Sequence, residues 1–159
     1  MSEDAVKSLA QAATRMLPQE QLEAVQTKSN SLFIGVPRET SLQERRVPLV
    51  PQDVELLVNN GHEVLIESKA GEKANFSDND YSEAGAQIAY DTKAVYKADI
   101  ILKVEPLSPD ELELMQQGQT LISALQLPVQ SKDFLKKLIE KRVTAIAYDY
   151  IKTIQEVFQ

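Results

Sequence analysis

Six short apolar segments recur along the chain, and each of the five gaps between them carries a helix-spaced pattern. The segments are Leu32–Val36, Glu63–Glu67, Gln87–Tyr90, Asp99–Val104, Thr120–Leu125 and Val143–Tyr148. Several are consecutive apolar runs, such as Ile100-Ile101-Leu102, rather than alternations of apolar and polar residues. A strand of that kind is buried on both faces, which is the condition of a parallel sheet covered by helices through right-handed crossovers. The expected fold is α/β: a doubly wound, mainly parallel six-stranded sheet with helices on both faces. The helix signals are clear. Gln52–Asn59 ends at Asn60-Gly61, Asp78 and Asp91 stand as caps, Ser108-Pro109-Asp110-Glu111 opens a helix, and Ser131 caps one running to Lys141.

The chain has 159 residues, enough for one domain with a core of its own. Two parts are expected: a helical arm at 1–31, with apolar positions at Ala5, Val6, Leu9, Ala12, Ala13 and Met16, and a domain at 32–159. The arm's apolar stripe is expected to dock on the main body or on a second subunit. Ile151 to Phe158 has a further helical pattern. Net charge is −7, which argues against nucleic acid as a partner. No apolar run approaches the roughly 20 residues of a membrane span, so no membrane insertion is expected. The N-terminus has no secretory signal pattern, and a cytoplasmic location is expected by default. There is no cysteine, and no His/Asp/Glu set has metal-ligand spacing, so no metal is expected.

Ligands of such sheets bind beyond the carboxyl ends of the strands. Arg45 and Arg46 lie in the loop after the first strand, where a guanidinium can clamp a carboxylate or phosphate or remain a solvated loop charge. Lys103 ends the fourth strand and either snorkels to solvent or points into the crevice above the sheet. If it points inward, it and Arg46 face one opening and suit a small carboxylate or keto acid. Gln126 and Gln130 follow the fifth strand at the same edge; an amide orients a ligand but exchanges no proton near neutral pH. His62, the single histidine, falls at the amino end of a strand and is structural or solvated. Asp110, Glu111 and Glu113 are expected to be a solvated helix start. The glycines, at 35, 61, 71, 85 and 118, form no G-x-G-x-x-G phosphate loop.

Three stretches, IGVPRE…ERRVPLVP, GHEVLIESKAGEKANFSDNDYSEAGAQI and ADIILKVEPL, resemble the N-terminal domain of the alanine dehydrogenase and pyridine-nucleotide transhydrogenase family. The resemblance covers roughly Phe33 to Asp149. It implies a Rossmann-like or flavodoxin-like sheet without a phosphate loop. It also implies that Arg46 binds the substrate carboxylate and that Lys103 contacts the keto acid. Alanine dehydrogenases carry a proton-transferring histidine where this chain has Gln126. Pro128-Val129-Gln130 resembles the transhydrogenase P-A-Q motif, which implies a cofactor-placing role for Gln130. The implied cofactor is NAD, bound mainly by a domain absent from this chain.

The expected function is therefore the substrate-side domain of an NAD-dependent alanine dehydrogenase-like oxidoreductase acting on alanine and pyruvate. It would be incomplete without its NAD-binding domain and homo-oligomeric through the full-length parent. Two alternatives stand beside it: the NAD(H)-binding component of a proton-translocating NAD(P) transhydrogenase, and a non-catalytic binding or assembly module.

Overall fold

The structure, a computed structural model, describes residues 31–151. The helical arm expected at 1–31, apart from its last residue, and all but the first residue of the pattern at 151–158 lie outside the described residues. Six strands form one sheet in the order β3-β2-β1-β4-β5-β6, with every pairing parallel. They are β1 (Phe33–Val36), β2 (Glu63–Glu67), β3 (Gln87–Ala89), β4 (Ile100–Leu102), β5 (Thr120–Ser123) and β6 (Thr144–Ala147). The helices between them are α1 (Pro51–Asn59), α2 (Asp78–Glu83), α3 (Thr92–Val95), α4 (Pro109–Leu114) and α5 (Lys132–Glu140). All six expected strands form, β2 over the whole of its run and the other five slightly shorter than theirs.

The helices divide between the two faces. Val54 of α1 and Tyr81 of α2 pack with Val36, Val64 and Ile66. Val95 of α3 packs on the opposite face with Leu65 and Ala89. Leu112 of α4 and Phe134 and Leu138 of α5 extend that second face over Ile101 and Leu121. Gly35 sits under α3 because nothing larger fits: a Cβ there would lie 2.6 Å from the Val95 carbonyl oxygen.

The caps follow local chemistry, with one correction. Ser77, not Asp78, caps α2, in a reciprocal capping box with Asp80. The Asp78 carboxylate instead accepts from the Ser68 hydroxyl and the Lys69 N–H, both at 2.7 Å, and so fixes the loop after β2. Asp91 and Ser131 cap α3 and α5 as the sequence indicates. The chain departs from β1 in opposite directions, toward β2 on one side and β4 on the other. The topological switch point therefore lies between β1 and β4, where a crevice is expected beyond the carboxyl ends.

Candidate functional site

The carboxyl edge at the switch point is built around Lys103, the first residue after β4. Its backbone N–H continues the ladder to the Ile122 carbonyl at 3.0 Å. Its side chain is 1% exposed. The ammonium lies 2.6 Å from Oε1 of Glu111 and 3.3 Å from Oε2 of Glu39. Burying an ammonium costs several kcal/mol unless it is paired, and here two carboxylates pair it.

The carboxylates come from different elements. Glu39 belongs to the loop after β1 and crosses the switch point: its Oε1 accepts the Val104 N–H at 2.6 Å. Its Oε2 is buried and has no hydrogen bond; the contact with Lys103 meets the distance of an ion pair but not the angle of a bond. Burial raises the Glu39 pKa above the ordinary value, against the opposing pull of Lys103 and the Val104 amide. Glu111 is the third residue of α4. One oxygen closes the helix cap by accepting the Ser108 N–H at 2.8 Å, and the other takes Lys103. The expectation that Glu111 is a solvated helix start is therefore overturned: α4 docks with Leu112 in the core and carries Glu111 in beside it. Tyr96, buried after α3, has its pKa pushed up by burial and then by the nearby Glu111 charge.

A cavity of about 220 Å³ opens beside this cluster, lined by Pro48, Leu102, Lys103, Val104, Ile122 and Tyr148. Tyr148 closes one side, its hydroxyl donating to the Val104 carbonyl. Arg46 lies outside the lining, and its side chain is 74% exposed. Its guanidinium grips Glu44 through Nε at 2.9 Å and a terminal nitrogen at 2.6 Å, while its backbone N–H donates to the same carboxylate. That grip holds the Glu44 carboxyl down to about 2 and raises the Arg46 pKa. The Arg46 charge also lowers the Tyr148 pKa against the upward push of burial, which puts Arg46 within electrostatic reach of the cavity rim. Both sequence-identified cations are thus at the expected edge, and each is already paired with a carboxylate.

The two glutamines are placed differently. Gln126 is exposed in a left-handed backbone conformation, φ 47°. Its N–H and that of Leu125 are held by the Asp149 carboxylate at 2.9 and 3.1 Å. Gln130 donates to the Leu125 carbonyl at 2.9 Å and lines a separate cavity between α4 and α5, with Leu107, Leu112 and Phe134. His62 sits before β2, where Nδ1 accepts the Leu32 N–H at 3.3 Å, a structural contact. Sequence reasoning missed Glu39, Tyr148 and Asp149. The one available signal was that Glu39 directly follows a strand at its carboxyl end. Among the described residues no group of three or more His, Cys, Asp or Glu side chains is arranged to hold a metal, and no helix is long and apolar enough to cross a membrane.

Comparison with known proteins gives a consistent result. Residues 35–158 match the family model "Alanine dehydrogenase/PNT, N-terminal domain". An alanine dehydrogenase of Bacillus subtilis is 38% identical over 120 residues, covering 76% of this chain and 32% of that protein. One of Staphylococcus saprophyticus is 36% identical over 121 residues, with the same coverage. Among solved structures, an L-alanine dehydrogenase superposes with a TM-score of 0.73 at 39% identity, over 77% of this chain and 34% of that one. A transhydrogenase from Sinorhizobium meliloti superposes with a TM-score of 0.70 at 26% identity, over 77% and 36%. The chain spans about a third of the length of the relatives it matches.

Proposed function

Because the chain belongs to the alanine dehydrogenase/PNT N-terminal domain family, we propose that it is the substrate-side domain of an NAD-linked oxidoreductase interconverting L-alanine with pyruvate and ammonia. The observation that carries this reading is Lys103: a buried ammonium in the wall of a small cavity at the switch point of a doubly wound sheet. In this reading Lys103 contacts the keto oxygen and Arg46 turns from Glu44 to the substrate carboxylate. An exposed guanidinium on a loop can make that exchange, because it is itself open to water, 74% exposed. The cavity volume suits a three-carbon acid rather than a nucleotide.

The residues of this chain do not fit the pyrophosphate of NAD. Gly35 is used to bring α3 against β1, and the loop that follows carries the buried carboxylates Glu39 and Glu44 where a phosphate would need donors. In the proposed enzyme the cofactor belongs to other parts of a longer polypeptide, and no hydride step is assigned to residues of this chain. A cytoplasmic location and homo-oligomeric assembly belong to the same proposal.

The test is pyruvate binding by the chain, followed by calorimetry, with Lys103→Met and Arg46→Ala beside it. Saturable binding lost in the first variant and weakened in the second supports the reading. The chain by itself is expected to form no NADH from alanine; measurable turnover would contradict the assignment of NAD to other parts of the polypeptide. A second reading, the NAD(H)-binding component of a transhydrogenase, is favoured by Gln126 where a proton-transferring group is needed and by Pro128-Val129-Gln130. In that case pyruvate should not bind.

A further inference from the structure

The cluster around Lys103 holds two carboxylates and one ammonium, all nearly inaccessible: Lys103 is 1% exposed, Glu39 5% and Glu111 5%. With both carboxylates ionised it has a net charge of −1 in a poorly solvated place. A second negative charge, the carboxylate of a small keto acid whose keto oxygen reaches Lys103, meets repulsion from both glutamates. The keto oxygen also competes with them for the one ammonium. The arrangement shows which carboxylate gives way. Glu111 is held on both oxygens, at 2.6 Å by Lys103 and at 2.8 Å by the Ser108 amide, so neither is left without a donor. Glu39 is hydrogen-bonded on Oε1 only, and its Oε2, 3.3 Å from the Lys103 ammonium, is buried without a hydrogen bond. A proton on that oxygen removes the unsatisfied charge and leaves the Val104 bond intact.

From this geometry we infer that Glu39 is the proton-exchanging partner of Lys103: a small keto acid bound with its keto oxygen at Lys103 brings one proton with it, and the proton resides on Oε2 of Glu39. The inference rests on the pyruvate reading given above and assigns to Glu39 a positioning role, acting through Lys103. The proton comes from solvent on binding and returns to it on release; no bond other than O–H forms or breaks. The titratable or charged groups that bear on Glu39 are Lys103 after β4, Tyr96 after α3 and Tyr148 after β6; Glu111 of α4 shares Lys103 with it, and Arg46 and Glu44 of its own loop act on Tyr148. Within about pH 5–8 none of the others offers a better site. Both tyrosines have raised values, Glu44 is held down to about 2, and both oxygens of Glu111 already accept hydrogen bonds. The raised Glu39 value agrees with the assignment.

The experiment is the pH dependence of sodium pyruvate binding to the full chain. In the unmodified protein Kd should weaken about tenfold per pH unit above the Glu39 midpoint, the slope of one linked proton. In Glu39→Gln, which keeps an acceptor for the Val104 amide, the dependence should be lost. A flat profile in the unmodified protein, or an unchanged slope in the variant, overturns the inference. If Glu39→Gln does not fold, calorimetry of the unmodified protein in buffers of different ionisation enthalpy decides: about one proton taken up per pyruvate supports it, and none overturns it. If pyruvate does not bind at any pH, the functional reading fails. The role of Glu39 is then judged from carbon-13 titration of its side chain in the free chain. A midpoint above the other glutamates supports it, and one at or below them overturns it.

Discussion

The Arg46 loop and the Lys103 cluster solve the same problem, a cation beside acid at the carboxyl edge, in opposite ways. Arg46 meets one carboxylate through a bidentate contact, its own side chain 74% exposed while Glu44 lies buried beneath it. Lys103 meets two carboxylates in the dry seam between β4 and α4. The guanidinium of the first pair is cheap to swing away, since solvent replaces what it loses. The second is not, because each member left alone is a buried charge. An enzyme that must capture an acid and then hold its reacting oxygen has use for both: a mobile grip outside and a fixed point inside.

The comparison breaks most plainly in stability. Lys103→Met removes the only cation from two buried carboxylates and should cost about 3–5 kcal/mol, the usual penalty for breaking a buried pair. Arg46→Ala should lower the urea midpoint less, because the guanidinium it removes is exposed, although it leaves the buried Glu44 carboxylate without its partner. Equal effects in equilibrium unfolding would show that burial does not separate the two sites.

The next test is the dependence of stability on pH. The folded-state value of Glu39 is raised, so the native state binds more protons than the unfolded chain above about pH 4.3, the ordinary glutamate value. Its effect is therefore a stability that declines as pH rises from there through the folded value, and Glu39→Gln should flatten that decline. Glu44 has the opposite sign. Its folded value of about 2 gives a contribution present above pH 4.3 and lost as pH falls toward 2. Arg46→Ala should move the Glu44 midpoint, followed by NMR, from about 2 back toward the ordinary value.

The smallest expected effect is at Gln126. A non-glycine residue there is held at positive φ, with its amide fixed by Asp149. Gln126→Gly should change stability by no more than about 1 kcal/mol, in the stabilising direction, since relief of strain is partly offset by a freer unfolded chain. A loss larger than that would mean the glutamine side chain makes a contact that matters.

The fold was legible because consecutive apolar runs such as Val64-Leu65-Ile66 admit few other arrangements. Arg46 and Lys103 were legible as cations because both follow strands at the end where ligands bind. Their partners were not. The contact from Glu39 to Val104 depends on β1 lying next to β4, and an apolar pattern fixes the presence of strands but not their lateral order. Ser108-x-x-Glu111 announces a helix cap, yet whether its glutamate faces water or the core depends on where α4 docks. Asp78 and Ser77 are adjacent residues of equal capping strength, and the loop after β2 decides between them by engaging Asp78.

The bond from Glu39 to Val104 joins residues 65 apart in sequence. β1 and β2 can pair once the first helix is made, and β3 adds beside them, all within the first half of the domain. The cavity has no such early route, since both of its sides exist only after β4 has come back past β1. The order of assembly therefore follows the order of the chain: scaffold first, binding cleft last. Closing so long a loop is slow, and the contacts that reward it arrive together. In pulse-labelling hydrogen exchange during refolding, the Val104 amide should gain protection after those of Val64 and Ile66. The cleft is thus also the part of the molecule that a folding defect would compromise while most of the sheet still formed.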